Sequence, residues 1–193
     1  MMTVVITDRH TLPALLDTME SPILISDSRQ KADKHNNVIV AAARRGIEVR
    51  PATLPVGDYM LATPSGYASD VTFDTKRGIQ EIQQNTFIDC DRVAREMERA
   101  SELGLVLVFL VELSSEEQTL CDVCPRAASC PHAGYCEQHE VYADFSDKLS
   151  SLRAFASFVR KGGATAIACW TTETGDAILD LFTDVKTNRV AAI

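Results

Sequence analysis

Residues 57–78, GDYMLATPSGYASDVTFDTKRG, read as two short extended arms around a turn, and each arm carries an aspartate. Side chains alternate faces along a strand, so Asp74 and Lys76 share a face and Thr75 opposes them. A turn centred near Gly66 sets Asp58 across from Asp74 in antiparallel register. Two carboxylates placed opposite one another repel. A divalent cation bound to both removes that cost. Mg²⁺ suits the task because it takes one or two carboxylates, keeps several waters and leaves positions for phosphate oxygens. Lys76 beside such an ion would orient or help to deprotonate an attacking water, or stabilise charge on a phosphate. The same residues also suit the polar face of a solvated hairpin. Asp-x-Lys recurs at Asp184 to Lys186, after the last expected helix, where it reads as plain surface. Spacing alone therefore leaves both readings open.

The segments on either side set the fold class. PILISDSR is apolar until Ser26 and reads as a strand, and ADKHNNVIVAAARRG suits a helix closed by Gly46. IEVRPATL alternates like a strand. Beyond the hairpin, DCDRVAREMERASELG is amphipathic, with Val93, Met97, Ala100 and Leu103 on one stripe and Gly104 as its stop. LVLVFLVE shows no alternation, which marks a central strand buried on both faces. SDKLSSLRAFASFVRKGG reads as a helix, ATAIACW as a further buried strand, and TTETGDAILDLF as a closing helix. With DRHTLPALLDTM as an opening helix, the order is helix, strand, helix, a meander of about three strands, then helix, strand, helix, strand, helix. That order predicts an α/β protein with a mixed sheet and helices on both faces. A doubly wound nucleotide-binding fold is disfavoured, because SDSRQKAD stands where a glycine-rich phosphate loop belongs.

Composition narrows the class of partner. With 193 residues, 46% hydrophobic and 24% charged, the chain has globular composition and length for one domain, residues 1–193. Its longest apolar run, LGLVLVFLVEL, is too short for a bilayer and is broken by Glu112. MMTVVITDRH lacks the charged start and long apolar run of a secretory signal, so a cytoplasmic location and no membrane partner are expected. The formal net charge of −8 argues against nucleic-acid binding through overall charge, but a local basic face can coexist with it. Candidate cations for such a face are Arg44, Arg45, Arg50, Lys76, Arg77, Arg92, Arg95 and Arg99.

Four motifs follow one another at close spacing: ISDSRQ, RRGIEVRPATLPVGDYML, VTFDTKRGIQEI and DRVAREMERASELGLVLVFLVE. Their succession resembles the nuclease domain of the XPF family of structure-specific DNA endonucleases over about residues 21–183. That family reads Asp-x-Arg-Glu at the first strand, then Gly-Asp-Tyr, then Glu-Arg-Lys. An arginine-bearing helix and an apolar strand ending in Glu come next. The matching positions are Asp27 and Arg29, Gly57-Asp58-Tyr59, Asp74-Thr75-Lys76, Arg92 and Glu112. The resemblance implies a restriction-endonuclease-like fold, a mixed central sheet flanked by helices, with Mg²⁺ (or Mn²⁺) held by Asp58 and Asp74. It implies Asp27 in support and Lys76 as catalytic base or stabiliser. Arg29 and Arg92, with Arg77 nearby, would face the DNA backbone, whose phosphates they hold without reading sequence. The implied substrate is branched or junction DNA, in repair, recombination or replication, and the implied assembly is a homodimer. The sequence departs from the pattern at Thr75, in place of the central arginine, at Gln30, in place of an acid, and at Glu81, displaced by one position. Those substitutions motivate a second expectation, a non-catalytic DNA-binding or protein-interaction module of the same fold.

Residues 114–144 interrupt the resemblance with CDVCPRAASCPHAGYC. Cys121, Cys124, Cys130 and Cys136 lie in one short loop, with His132 and His139 close by. Two cysteines separated by two residues chelate one tetrahedral ion, and two more complete the shell. A reducing compartment disfavours disulfides, so a metal-binding insertion with structural Zn²⁺ is expected, a 4Fe–4S cluster being the alternative. Cys169 reads as a small core residue, and Cys90 shows no partner in sequence.

Overall fold

Among the described residues, six strands build one mixed sheet, and the first of them lies next to its edge. The computed structural model describes residues 22–30, 36–63, 68–114 and 150–183. β1 spans Ile23–Asp27 and helix α1 spans Asn36–Arg44, with Val38, Ala41 and Ala42 turned inward. Gly46, at φ 68°, ends α1 by letting the Ile47 N–H turn back to Ala42 O at 2.9 Å. β2 (Glu48–Ala52) then runs parallel to β1, from Ile23 opposite Glu48 to Asp27 opposite Ala52.

β3 (Tyr59–Ala62) lies antiparallel on the other side of β1, and β4 (Ala68–Arg77) lies antiparallel to β3. Helices α2 (Gly78–Phe87) and α3 (Cys90–Glu102) lead to β5 (Val106–Leu113), parallel to β4. A helix over residues 150–161, α4, leads to β6 (Thr165–Trp170), parallel to β5, and α5 (Thr174–Thr183) follows. The sheet order is β2-β1-β3-β4-β5-β6. The expected mixed sheet flanked by helices is therefore present.

Two details differ from the sequence reading. A meander of three strands is not formed, because β1 stands between β2 and β3. The crossover through α1 returns the chain parallel to β1, which a tight hairpin cannot do. The helix α2 is additional. Its composition is polar, and only Ile79, Ile82 and Asn85 are buried, so it carries too thin an apolar stripe to stand out.

Each face of the sheet has its own core. Along β5, Leu107, Phe109, Val111 and Leu113 join one cluster, while Val108 and Leu110 join the other. This is why the strand reads as an unbroken apolar run. On the first face α1 and α5 pack over Tyr59, Leu61, Val71 and Phe73, with Phe73 edge-on to Phe182 at 4.8 Å. On the second, α2, α3 and α4 pack through Ile82, Val93, Met97 and Phe155, with Phe109 edge-on to Phe155 at 5.6 Å. Each fully buried aromatic or aliphatic side chain of this kind contributes about 1.5–3 kcal/mol. Where β3 and β4 pass beyond the apolar packing of the second face, the alternation of β4 puts Asp74 and Lys76 on that same face.

Candidate functional site

Three aspartates meet where β1, β3 and β4 lie side by side. The register pairs Tyr59 with Phe73 and Met60 with Thr72, so Asp58 stands just before β3, beside the step from Phe73 to Asp74 on β4. The Asp58 N–H donates to Phe73 O at 2.5 Å, and Asp58 O accepts the Asp27 N–H at 2.8 Å. Asp27, at the end of β1, is thereby stitched to the same corner. Gly57 makes the approach possible. Its φ is 76°, and a Cβ there would overlap Thr72 Oγ1 and lie 2.8 Å from Phe73 O.

Each aspartate has a different environment. Asp58 Oδ2 accepts the Thr75 N–H at 2.8 Å and the Thr75 hydroxyl at 2.6 Å. Thr75 is buried, so the residue standing where the family resemblance has an arginine serves here to aim a carboxylate. Asp27 is clasped by Arg29, whose Nε lies 3.0 Å from both carboxylate oxygens and whose Nη2 lies 2.5 Å from Oδ2. The same Nη2 donates to Leu54 O at 2.6 Å. Arg29 therefore braces Asp27 and the loop before β3 as well as bordering the cleft.

Asp74 is buried, and Lys76 Nζ lies 2.5 Å from its Oδ1. This short contact is a buried ion pair, which gives Oδ1 a charged partner. Lys76 is itself only 3% exposed, with its ammonium 5.1 Å from the centre of the Phe109 ring. Burial pushes the Asp74 carboxyl above the usual carboxylate range; Lys76 opposes that shift and the nearby Glu96 adds to it. For Lys76, burial works against the charge, but the attraction of Asp74 and then Glu96 outweighs it and raises the pKa. Lys76 is thus an ammonium at neutral pH.

Glu96 is the acid that the sequence reading misses. Arg92, Arg95, Glu96 and Arg99 recur at helical spacing on α3, opposite the buried Val93, Met97 and Ala100. That spacing, on a face turned toward the hairpin, is the signal that could have found it. Together with Asp27, Asp58 and Asp74, these residues and Arg29 line a cleft of about 280 Å³. Four carboxylates and four arginines share it, so its formal charge is zero on a chain of net charge −8. A larger, shallower hollow of about 720 Å³ lies between α3 and α4, but its charged residues, such as Glu98, Glu102 and Lys161, are all exposed. The smaller cleft is the candidate site.

The other predicted residues lie elsewhere. Lys76 sits beneath Asp74 and is not part of the cleft wall. Arg77 is exposed at the end of β4, outside the cleft lining, and its N–H donates to Glu81 Oε2 at 2.7 Å. Glu81 therefore closes the first turn of α2. Glu112 is buried on β5, opposite Arg77 and Cys169 in register. The Cys169 thiol is pushed up to about 12 by burial, as a core cysteine should be. Cys121, Cys124, Cys130, Cys136, His132 and His139 lie outside the described residues.

Among the described residues no group of three or more His, Cys, Asp or Glu side chains is placed to hold an ion. A site in this cleft would rest on Asp58 and Asp74, with water completing the shell, which is the manner of Mg²⁺ and not of Zn²⁺. The buried carboxylate of Asp74 and that of Asp58 line the same cleft and offer hard oxygen donors, which fit a hard divalent cation. No helix among the described residues is long and apolar enough to cross a membrane. A scan against protein-family models and a search of curated proteins return no match for this chain. The family resemblance therefore stands on the quoted motifs.

Proposed function

We propose that this chain is a Mg²⁺-dependent DNA endonuclease of restriction-endonuclease-like fold, hydrolysing phosphodiesters in branched or junction DNA. One observation carries the reading. The carboxylates of Asp58 and Asp74 line one cleft bordered by four arginines, and Asp74 is buried there with Lys76 as its counter-charge. Repulsive acids beside arginines suit a cation-bridged phosphate better than a structural core.

Asp58 and Asp74 would hold the ion, which when bound supplies Lewis-acid polarisation of the phosphate and a more acidic water. The chain's own residues prepare the rest. Thr75 fixes the direction of Asp58 through two hydrogen bonds. Lys76 keeps Asp74 in place and adds positive charge where negative charge develops. Its role is that of catalytic base or stabiliser, with the ammonium form favoured by Asp74 and Glu96. Arg92, Arg95 and Arg99 offer donors to backbone phosphates and none is tied to a base-reading role. Hydrolysis then adds a water to phosphorus and expels one ester oxygen, which leaves with a proton. The preference for branched DNA, a role in DNA repair, homodimer formation and a cytoplasmic location rest on the XPF resemblance and on the composition of the sequence.

Incubation of the full chain with labelled fork, flap and plain duplex DNA in Mg²⁺ tests this reading. Cleavage that Asp74→Ala abolishes is expected. Intact substrate in every lane, with the variant and wild type alike, defeats it. The substituted motif positions Thr75 and Gln30 and the net charge of −8 motivate the second reading, a non-catalytic DNA-binding or protein-interaction module. In that case DNA or protein binding persists unchanged when Asp58 or Asp74 is replaced. In either reading the Cys121, Cys124, Cys130 and Cys136 segment carries structural Zn²⁺ or a 4Fe–4S cluster. Elemental analysis of gently purified protein would find one of the two metals, and finding neither would defeat the assignment.

A further inference from the structure

Asn85 stands out on the inner face of α2. It is 1% exposed beside Ile79 and Ile82, where an apolar residue would pack without cost. Its Oδ1 accepts a hydrogen bond from Arg92 Nη2 at 2.5 Å, while its Nδ2 has no partner. The bond fixes the amide orientation, because a flipped amide would point N–H at N–H. A buried donor left unpaired is unfavourable. The position is therefore poor for stability, and its one evident product is the placement of Arg92.

The corner between α2 and α3 is stiff enough to transmit that placement. The N–H groups of Ile88 and Asp89 both return to Gln84 O, at 2.9 and 2.8 Å, and Gln84 Nε2 donates to Asp89 Oδ2 at 3.0 Å. Arg92 itself is half exposed at the cleft, with Nη1 only 3.9 Å from Glu96 Oε2. Without Asn85 its guanidinium would be free to collapse onto Glu96. With Asn85 it stays extended at the rim. Arg92, Arg95 and Arg99 then form a row, about 10 Å long at 1.5 Å per residue. Phosphates of one strand advance about 3.4 Å along the duplex axis. Because the strand also winds around that axis, neighbouring phosphates lie farther apart than this advance, and the row reaches about two to three phosphates of one backbone.

We propose that Asn85 is a positioning residue that holds Arg92 in register with Arg95 and Arg99, making α3 a track for consecutive phosphates of a single DNA strand. This rests on the nucleic-acid reading above, but it concerns binding and not cleavage. The test measures affinity of the full chain for a short fluorescent duplex, in chelator, across a salt series. Asn85→Leu is expected to weaken binding about ten-fold at low salt, the scale of one lost charged hydrogen bond. It should lower the salt dependence by about one phosphate contact. Its melting temperature should stay the same or rise, since an unpaired donor has gone; Asn85→Ala replaces it if leucine crowds the core. In an Arg92→Ala background, Asn85→Leu should have no further effect on affinity. An equal loss in that background, or unchanged affinity in the wild-type background, overturns the proposal. So does a wild-type chain that binds no duplex, whereas binding without any cleavage in Mg²⁺ overturns only the nuclease reading.

Discussion

Replacing Gly57 with alanine perturbs the corner on which the candidate site is built, and its cost can be worked out. Gly57 has φ 76°, a conformation that costs an L-residue about 1–2 kcal/mol. The added Cβ would also overlap Thr72 Oγ1 and sit 2.8 Å from Phe73 O. Phe73 O already accepts the Asp58 N–H, so the strand cannot simply retreat. Thr72 must give way, yet its hydroxyl donates to Val56 O at 2.9 Å and lies 3.3 Å from Tyr59 O. Losing one buried hydrogen bond costs about 1–3 kcal/mol. The sum is about 2–5 kcal/mol, a large share of a domain stability of about 5–15 kcal/mol. Urea denaturation of the full chain reads it, provided the slope is unchanged. Gly46→Ala supplies the control, because Gly46 has φ 68° with nothing within 4 Å of a Cβ. It should cost only the backbone share, about 1–2 kcal/mol. Equal losses at the two glycines would refute the close approach of β3 to β4 beside Asp58.

Lys76→Met leaves a buried carboxylate without its counter-charge and should destabilise the protein by about 3–5 kcal/mol at pH 8, measured in urea. The loss should shrink at pH 5, and a pH-independent loss would show that Asp74 is not what Lys76 compensates. The sign for Asp74 follows from its raised folded pKa: its stabilising share is complete below the unfolded value near pH 4 and is lost as pH rises through the folded value. In chelator, wild-type melting temperature should therefore fall from pH 5 to pH 8 more steeply than that of Asp74→Asn, and parallel curves would contradict the burial of Asp74. Thr75→Val deletes the 2.6 Å hydroxyl bond to Asp58 and should cost about 1.5–3 kcal/mol, with an unshifted urea midpoint as the contrary result.

The strands were legible because their period follows from elementary geometry. β5 reads as doubly buried because both its faces carry apolar side chains, and they fill two separate cores. Counting back from a turn puts Asp58 across from Asp74; the paired register runs only to Tyr59 and Phe73 and shifts between Met60 and Ala62, and both aspartates line one cleft. The position of β1 between β2 and β3 was not legible, since a crossover and a hairpin leave similar strand patterns. Nor were α2, with three inward residues, and Asn85, whose value lies in a contact seven positions away. Glu96 looks like any solvated residue of an amphipathic helix until α3 is packed over the hairpin. Arg29 shows the limit of a motif: matched by position, it is engaged with Asp27 and Leu54 O.

The claim that Asp58 and Asp74 share one divalent cation is tested most directly by electron paramagnetic resonance of Mn²⁺ titrated into the full chain. The account predicts a bound ion that Mg²⁺ displaces and that Asp58→Ala and Asp74→Ala each abolish. Binding that survives both substitutions, or no bound Mn²⁺ in the wild type, would contradict it.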